Sequence, residues 1–372
     1  MKKELFTEKK KRVFNAIKHK SVDRIPLMYR AQPEINLRLL KYFNLDPDIN
    51  ESWQELMEIM GFDVFSGGSG IGKYSKFKPA YKGRFKINPM DGNQFYAWGI
   101  DSYFDKNADS INYLINKDFA KLSSIGEMEK YMFPSVKDFD FKYENAYSGL
   151  KSSHFTGTGT LNSIFMIALY LRGPEQLFIE LVSDKKLAKY YIDTIGQFVF
   201  DYTWKTLKNA GRELEFYALW DDLAMQSNLM IPYATFKEFF YPWYKKIFAL
   251  AKSYDLITYF HACGNANEII PDLIEIGVDI LDPVQTSARD MQLDKLKKNY
   301  GKDICFHGGI DVQELLPLKT PKEIRRYMSW VLELFATGGG LILGPSHSIT
   351  NDTPLENILS VYRPDLLNND LV

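Results

Sequence analysis

Short apolar runs rich in Val, Ile, Phe and Tyr alternate along this chain with longer stretches whose apolar residues recur at helical spacing. That is the pattern of repeated βα units and a parallel sheet. It predicts strands near Arg24 to Tyr29, Asp63 to Ser66, His154 to Gly159, Glu215 to Trp220, Ile257 to His261, Asp279 to Leu281, Asp303 to His307 and Gly340 to Gly344. Helices are predicted over Glu34 to Phe43 with Ser52 to Met60, then Glu175 to Asn209, Tyr233 to Tyr254, Asn265 to Ile276, Asp290 to Tyr300, Pro321 to Ala336 and Leu355 to Tyr362. Gly277 closes the run that ends at Ile276, and Thr320-Pro321-Lys322-Glu323 is a capped start with Pro in the first turn. Eight strands with their helices close into a (β/α)8 TIM barrel, an α/β fold, more naturally than they form an open sheet.

The stretch from about Gly67 to Lys151 breaks the repeat. It is rich in Gly, Lys and aromatics, and Asp91-Gly92 between short alternating segments reads as a hairpin turn. We read it as an insertion after strand two, within a single domain spanning residues 1–372. Loops on the C-terminal face of a barrel often cover its mouth, so this one is expected to form a lid.

Composition narrows the class without changing the fold. The 46 basic residues are balanced by 47 acidic ones, so Lys9-Lys10-Lys11-Arg12, which leads into the amphipathic Val13 to Ile17, reads as a solvated helix face rather than a nucleic-acid patch. No apolar run approaches the roughly 18 residues of a membrane span, and the first residues carry no apolar signal region. A soluble, cytoplasmic protein is expected. Two cysteines exclude a disulfide framework. The Gly-rich pieces Gly67 to Gly72 and Thr156 to Thr160 lack the Gly-Lys-Ser/Thr of a P-loop and read as tight turns.

The candidate chemistry gathers at C-terminal strand ends, where barrels work. In Tyr259-Phe260-His261-Ala262-Cys263-Gly264-Asn265 an apolar strand ends in His, with Cys two residues on. Residues i and i+2 of extended backbone face the same way, so His261 and Cys263 can bind one zinc ion. The eighth strand leads into His347, which can approach such a metal from the other side of the mouth. His307, at the end of strand seven, can bind metal, hydrogen-bond substrate or pack, whereas Cys305 lies within the strand as a small core residue. His19 and His154 lie away from this face. Of the adjacent Asp221 and Asp222 after strand four, one is expected at the mouth and the other as a cap, with Asp222 assigned to the mouth. Gln285, after strand six, is placed to hydrogen-bond substrate or approach the metal, or is simply a polar loop residue.

These motifs resemble the uroporphyrinogen decarboxylase-like superfamily, and within it the branch of corrinoid-dependent zinc methyltransferases. The resemblance rests on Arg12 to Ile17 through Asp23-Arg24-Ile25-Pro26, Leu171-Arg172-Gly173, Trp220-Asp221-Asp222 with Gln226, and His261 to Asn265. It continues in His307-Gly308-Gly309-Ile310-Asp311, Pro345 to Ile349 and Asp352 to Asn357. Decarboxylases of the family carry Arg-Gln-Ala-Gly-Arg after strand one and an Asp after strand two; here those places read Met28-Tyr29-Arg30-Ala31-Gln32 and Phe65-Ser66-Gly67. The methyltransferase branch holds zinc with His-x-Cys and a later Cys, for which this chain has His347.

The resemblance therefore implies zinc held by His261, Cys263 and His347. It implies catalytic help from Asp222 and His307, and substrate contacts from Arg30, Gln226 and Gln285. The methyl group would pass between a corrinoid, carried by a separate corrinoid-binding protein, and a small thiol or methylated substrate. The alternative is decarboxylation of a polycarboxylate, and a homodimer is compatible with either.

Overall fold

The computed structural model describes residues 8–65, 73–74, 80–85, 94–105, 110–141, 156–160, 163–210 and 214–367. Eight parallel strands follow the predicted order: β1 (Met28–Tyr29), β2 (Val64–Phe65), β3 (Thr156–Thr160), β4 (Phe216–Trp220), β5 (Ile257–His261), β6 (Ile280–Val284), β7 (Cys305–Ile310) and β8 (Leu341–Pro345). Strands β3 to β8 pair each with the next, β1 pairs with β2, and the parallel bridge Leu27↔Leu343 joins β1 to β8. The succession β2-β1-β8-β7-β6-β5-β4-β3 is the strand order of a (β/α)8 barrel, and among the described residues every neighbouring pair but β2 and β3 is bridged. Lys73–Tyr74 adds a short parallel pairing to β3 on the side facing β2 in that order.

Side-chain alternation decides what fills the ring. Met28, Val64, Phe216, Ala218, Trp220, Ile257, Tyr259, Ile280, Cys305 and Ile342 form one interior cluster, every second residue of their strands. The intervening Tyr29, Tyr217, Leu219, Phe260, Leu281, Phe306 and Leu343 face outward onto the helices. The N-terminal helix Glu8–Ile17 sends Val13 and Ile17 into the interior cluster and so plugs the bottom of the barrel.

Its basic run is not simply a solvated face, which corrects the sequence expectation. Arg12 is buried, bonded to Asp23 at 2.6 and 2.7 Å and to the buried Asp63, and Lys10 is buried in a pair with Glu215. These acids all lie outside the helix, Asp63 and Glu215 far along the chain, so charge counting along the helix could not find them.

The predicted helices are present with two breaks. The stretch 175–209 divides at Asp184 into Pro174–Ser183 and Lys185–Ala210, and 233–254 divides at Phe240, before Pro242, into Tyr233–Phe239 and Tyr241–Lys252. A nine-residue apolar segment, Ile164–Arg172, adds a helix the pattern did not reveal.

In the insertion, the described residues form an antiparallel hairpin, Ser102–Asp105 with Ser110–Tyr113, and a second small pairing, Ala80–Tyr81 with Phe139–Asp140. They dock on the outer helices: Trp98 meets Phe198 edge to face at 5.1 Å, Phe139 meets Tyr202 at 5.2 Å, and Arg172 donates to the carbonyls of Phe119 and Ala120. The hairpin turn expected at Asp91-Gly92, the Gly67 to Gly72 piece and His154 lie outside the described residues.

Candidate metal centre at the barrel mouth

Strand β5 carries Tyr259 and His261 on its inner face, and the chain turns outward just beyond them. Gly264 makes that turn possible. It adopts φ +87°, and a Cβ there would lie 2.5 Å from the Met225 carbonyl oxygen. The turn is pinned by Gln285, whose Oε1 accepts the Gly264 N–H at 3.0 Å. Cys263 thereby comes back toward His261, with Sγ 3.5 Å from Nε2.

Asp222 completes a cluster with these two. Its Oδ1 accepts the Cys263 N–H at 2.8 Å and lies 3.7 Å from His261 Nε2, and the three ligand atoms all fall within 4.8 Å of one another. Zinc bonds of 2.0–2.3 Å in a tetrahedron place neighbouring ligands roughly 3.3–3.8 Å apart, so the 3.5 and 3.7 Å separations fit that metal. The nitrogen, sulfur and oxygen donor set fits it as well.

His347, expected as the third ligand, is not a member of this cluster; Asp222, expected as an acid catalyst, is. His347 stands two residues beyond β8, exposed at the rim. Its side chain meets solvent, yet the surrounding protein and the Arg30 cation oppose a positive charge on it. Its pKa is lowered to about 4, with His261 adding to the effect. The imidazole is thus neutral near pH 7.

Behind the cluster stands a residue that sequence reasoning passed over. Asp282 is wholly buried in β6, and its two oxygens hold His261 and His307, each through Nδ1. Burial would raise the Asp282 pKa, but the two imidazoles outweigh it and hold the carboxyl well below its usual range. Burial likewise opposes a charge on His261; the carboxylate, with the Cys263 sulfur adding, overcomes it and raises the pKa to about 10. A carboxylate on Nδ1 fixes which nitrogen faces the cluster, the usual support of a metal-binding imidazole. Trp220 stacks flat on the His261 ring, centroids 3.9 Å apart and planes at 10°, and holds its orientation.

His307 sits deeper than expected. It lies mid-strand, fully buried, with Tyr259 Oη 3.3 Å from Nδ1, and its Nε2 is buried without a hydrogen-bond partner. Cys305, one inward step below it, belongs to the interior core, where burial pushes its thiol up.

The adjacent acids divide as predicted, though the capped helix is not the one after β4. Asp221 turns outward and accepts the N–H groups of Phe165 and Met166 at 2.8 and 2.9 Å, capping Ile164–Arg172, along with the Tyr244 hydroxyl at 2.6 Å. Burial raises its pKa to about 6. Gln285 serves the turn after Cys263, and Gln226 is exposed at the rim, its carbonyl accepting the Arg289 N–H at 2.9 Å. Arg30 is buried just past β1.

A barrel with a buried polar cluster at the C-terminal strand ends is the architecture of an enzyme. The uroporphyrinogen decarboxylase (URO-D) family model matches residues 115–363, and the chain belongs to that family. It is 26% identical over 204 residues to the methylated-thiol–coenzyme M methyltransferase of Methanosarcina mazei. That match covers 55% of this chain and about half, 51%, of the relative. The solved structure of a methyltransferase from Methanosarcina mazei superposes with a TM-score of 0.61 at 17% identity, covering 96% of this chain and 97% of that one, a likeness of fold. Among the described residues no helix is long and apolar enough to cross a membrane.

Proposed function

We propose that this protein is a zinc-dependent methyltransferase that moves a methyl group between a corrinoid, carried on a partner protein, and a small thiol or methylated substrate. The observation that carries the reading is the Asp222–His261–Cys263 cluster with Asp282 behind it. The relatives named as methyltransferases support it. A zinc ion held by these residues, with His347 as a further ligand from the β8 side, would lower the pKa of a bound thiol enough to make it a thiolate near neutral pH.

The rest is work for the protein itself. Asp282 holds the Nδ1 proton of His261, so the proton that a metal would displace is the one on Nε2, which faces the cluster. Trp220 and the Gln285-pinned turn hold the His261 ring and Cys263 in register before substrate arrives. Asp222 would hold the metal, and His307, buried on the other oxygen of Asp282, would support that carboxylate from below. The site lies in the cytoplasm, where a corrinoid protein can dock over the mouth.

Metal analysis of purified protein tests this directly. About one equivalent of zinc is expected, lost in His261→Ala/Cys263→Ala together with thiol methylation from a methylated corrinoid. Less than half an equivalent in the natural protein, unchanged in the double variant, would sink the proposal.

A further inference from the structure

On the outer wall of the barrel, the long helix Lys185–Ala210, which leads into β4, and Tyr241–Lys252, which leads into β5, run side by side in the same direction. Gly196 on the first lets Trp243 of the second lie across it, since a Cβ there would meet the indole at 2.3 Å. Between the two helices lies a groove of about 470 Å³, lined by Gln197, Phe200, Trp243, Lys246, Ala249 and Leu250. Along the long helix Gln197, Phe200, Trp204 and Lys208 recur at i, i+3, i+7 and i+11, which is one helix face. The edge of the groove therefore continues past the cavity through Trp204, 40% exposed, to Lys208.

Two lysines frame this groove, and each rests on an aromatic face rather than on an acid. The Lys246 ammonium lies 4.2 Å from the Trp243 ring centroid and that of Lys208 lies 4.9 Å from the Trp204 centroid. Among the described residues neither has a carboxylate within ion-pair distance, whereas Lys185, Lys189, Lys245 and Lys252 of the same two helices do. A cation resting on a ring keeps its charge and stays available to an anion. Asp193, which accepts the Trp243 indole N–H at 2.9 Å, is itself neutralised by Lys189 at 2.8 Å. The sign changes across the long helix: Asp193 and Asp201 line the neighbouring cleft, against Pro134, Ser135 and Val136. The groove thus has an apolar floor, a cation on each of its two helices and an acidic border on one side.

We infer that this groove docks an acidic amphipathic helix of a partner protein, its apolar face on Phe200, Trp204 and Leu250 and its carboxylates on Lys208 and Lys246. From Gln197 to Lys208 the edge runs about 16 Å at about 1.5 Å per residue, room for about three turns of such a helix. Apolar anchors at i, i+3 or i+4 and i+7 on one helix are what a groove between two others accepts. A bilayer surface is flat and does not reach Trp243, 7% exposed on the groove floor. A second copy of this chain fits poorly. Lys189, Asp193, Gln197, Asp201 and Lys205 follow one another at intervals of four residues, so a two-fold axis through Gln197 would set acid against acid and base against base. Nothing in this docking face depends on the metal centre.

Fluorescence anisotropy with two labelled peptides of about 14 residues reads the groove; both carry Leu at i, i+3, i+7 and i+10, one flanked by Glu and the other by Lys. The Glu peptide is expected to bind the full-length protein about tenfold or more tightly than the Lys peptide, with a gap that narrows as salt is raised. In Lys208→Glu/Lys246→Glu the preference reverses, and Trp204→Ala weakens binding of the Glu peptide about fivefold or more. All three side chains are exposed, so both variants keep the fold, as circular dichroism checks. Equal affinity for the two peptides, or a Glu preference that survives the charge reversal, overturns the inference. So does a dimer in sedimentation that Trp204→Ala dissociates, which gives the groove to a second copy, and so do phosphatidylserine vesicles that displace the Glu peptide, which give it to a membrane.

Discussion

The two ends of the barrel differ in how completely their buried polar groups are paired. At the bottom, Asp63 is wholly buried and joins Arg12 and Arg24, while it also accepts the Leu27 N–H at 2.9 Å. Asp279 there binds Lys252 and the Thr258 N–H. At the mouth, by contrast, Arg30 Nε, Ser346 Oγ and His307 Nε2 are buried without partners. Closed networks stabilise a fold, and open ones are kept for something that binds. The fold supplies counter-groups to Asp63 at the bottom and to Asp282 at the mouth, but none among the described residues to Arg30.

Breaking the closed end should have the largest effect. Asp63→Ala leaves two arginines short of their acid and is expected to cost about 3–5 kcal/mol in denaturant unfolding. Zinc content in whatever folds should be unchanged; a loss below about 1 kcal/mol would mean that the network contributes little.

A second closed network sharpens the contrast through its pH dependence. Glu180 is buried, and although burial opposes its charge, hydrogen bonds from Arg172, Gln176 and Tyr191 hold its pKa below the usual value. A depressed acid stabilises the fold above its unfolded pKa, about 4.3, and that stability is lost as pH falls through the folded value. Glu180→Gln should therefore be about 2 kcal/mol less stable than the natural protein at pH 7, with a deficit that shrinks below about pH 4. Unfolding curves with a deficit independent of pH would contradict the assignment.

At the mouth, Asp282→Asn keeps the shape but weakens the hold on His261 Nδ1. Zinc affinity, measured by competition with a chelator, should drop about 10- to 100-fold, as for other carboxylates behind a metal-binding imidazole. Unaltered affinity would reduce Asp282 to a packing role. The smallest effect belongs to Arg30. With no acid to pair with among the described residues, Arg30→Gln should change unfolding stability by less than about 0.5 kcal/mol or increase it; a loss comparable to that of Asp63→Ala would place Arg30 among the closed networks.

Much of this was legible along the chain. Strands such as β4, β5 and β8 were found because buried parallel strands read as apolar runs, and His261 and Cys263 because i and i+2 share a face. Asp282 was missed because Asp-Pro is a turn signal that argues against a strand, although the inward set Ile280, Asp282 follows the same period-two rule that found His261. The helix Ile164–Arg172 was missed because a uniformly apolar segment has no period to read. Its N-terminus is capped by Asp221 from 56 positions away for Phe165, a partner no local pattern contains.

The sequence by itself determined the alternation of strands and helices and the strand ends at which polar side chains emerge, because these follow from local periodicity. Only the tertiary structure decided that Asp222 stands within ligand distance of His261 and Cys263, that one carboxylate serves two imidazoles, and that Arg12 is paired with acids while Arg30 meets none among the described residues. Those are contacts between strands far apart in the chain, and a residue's charge says nothing of whether folding will bring it a partner.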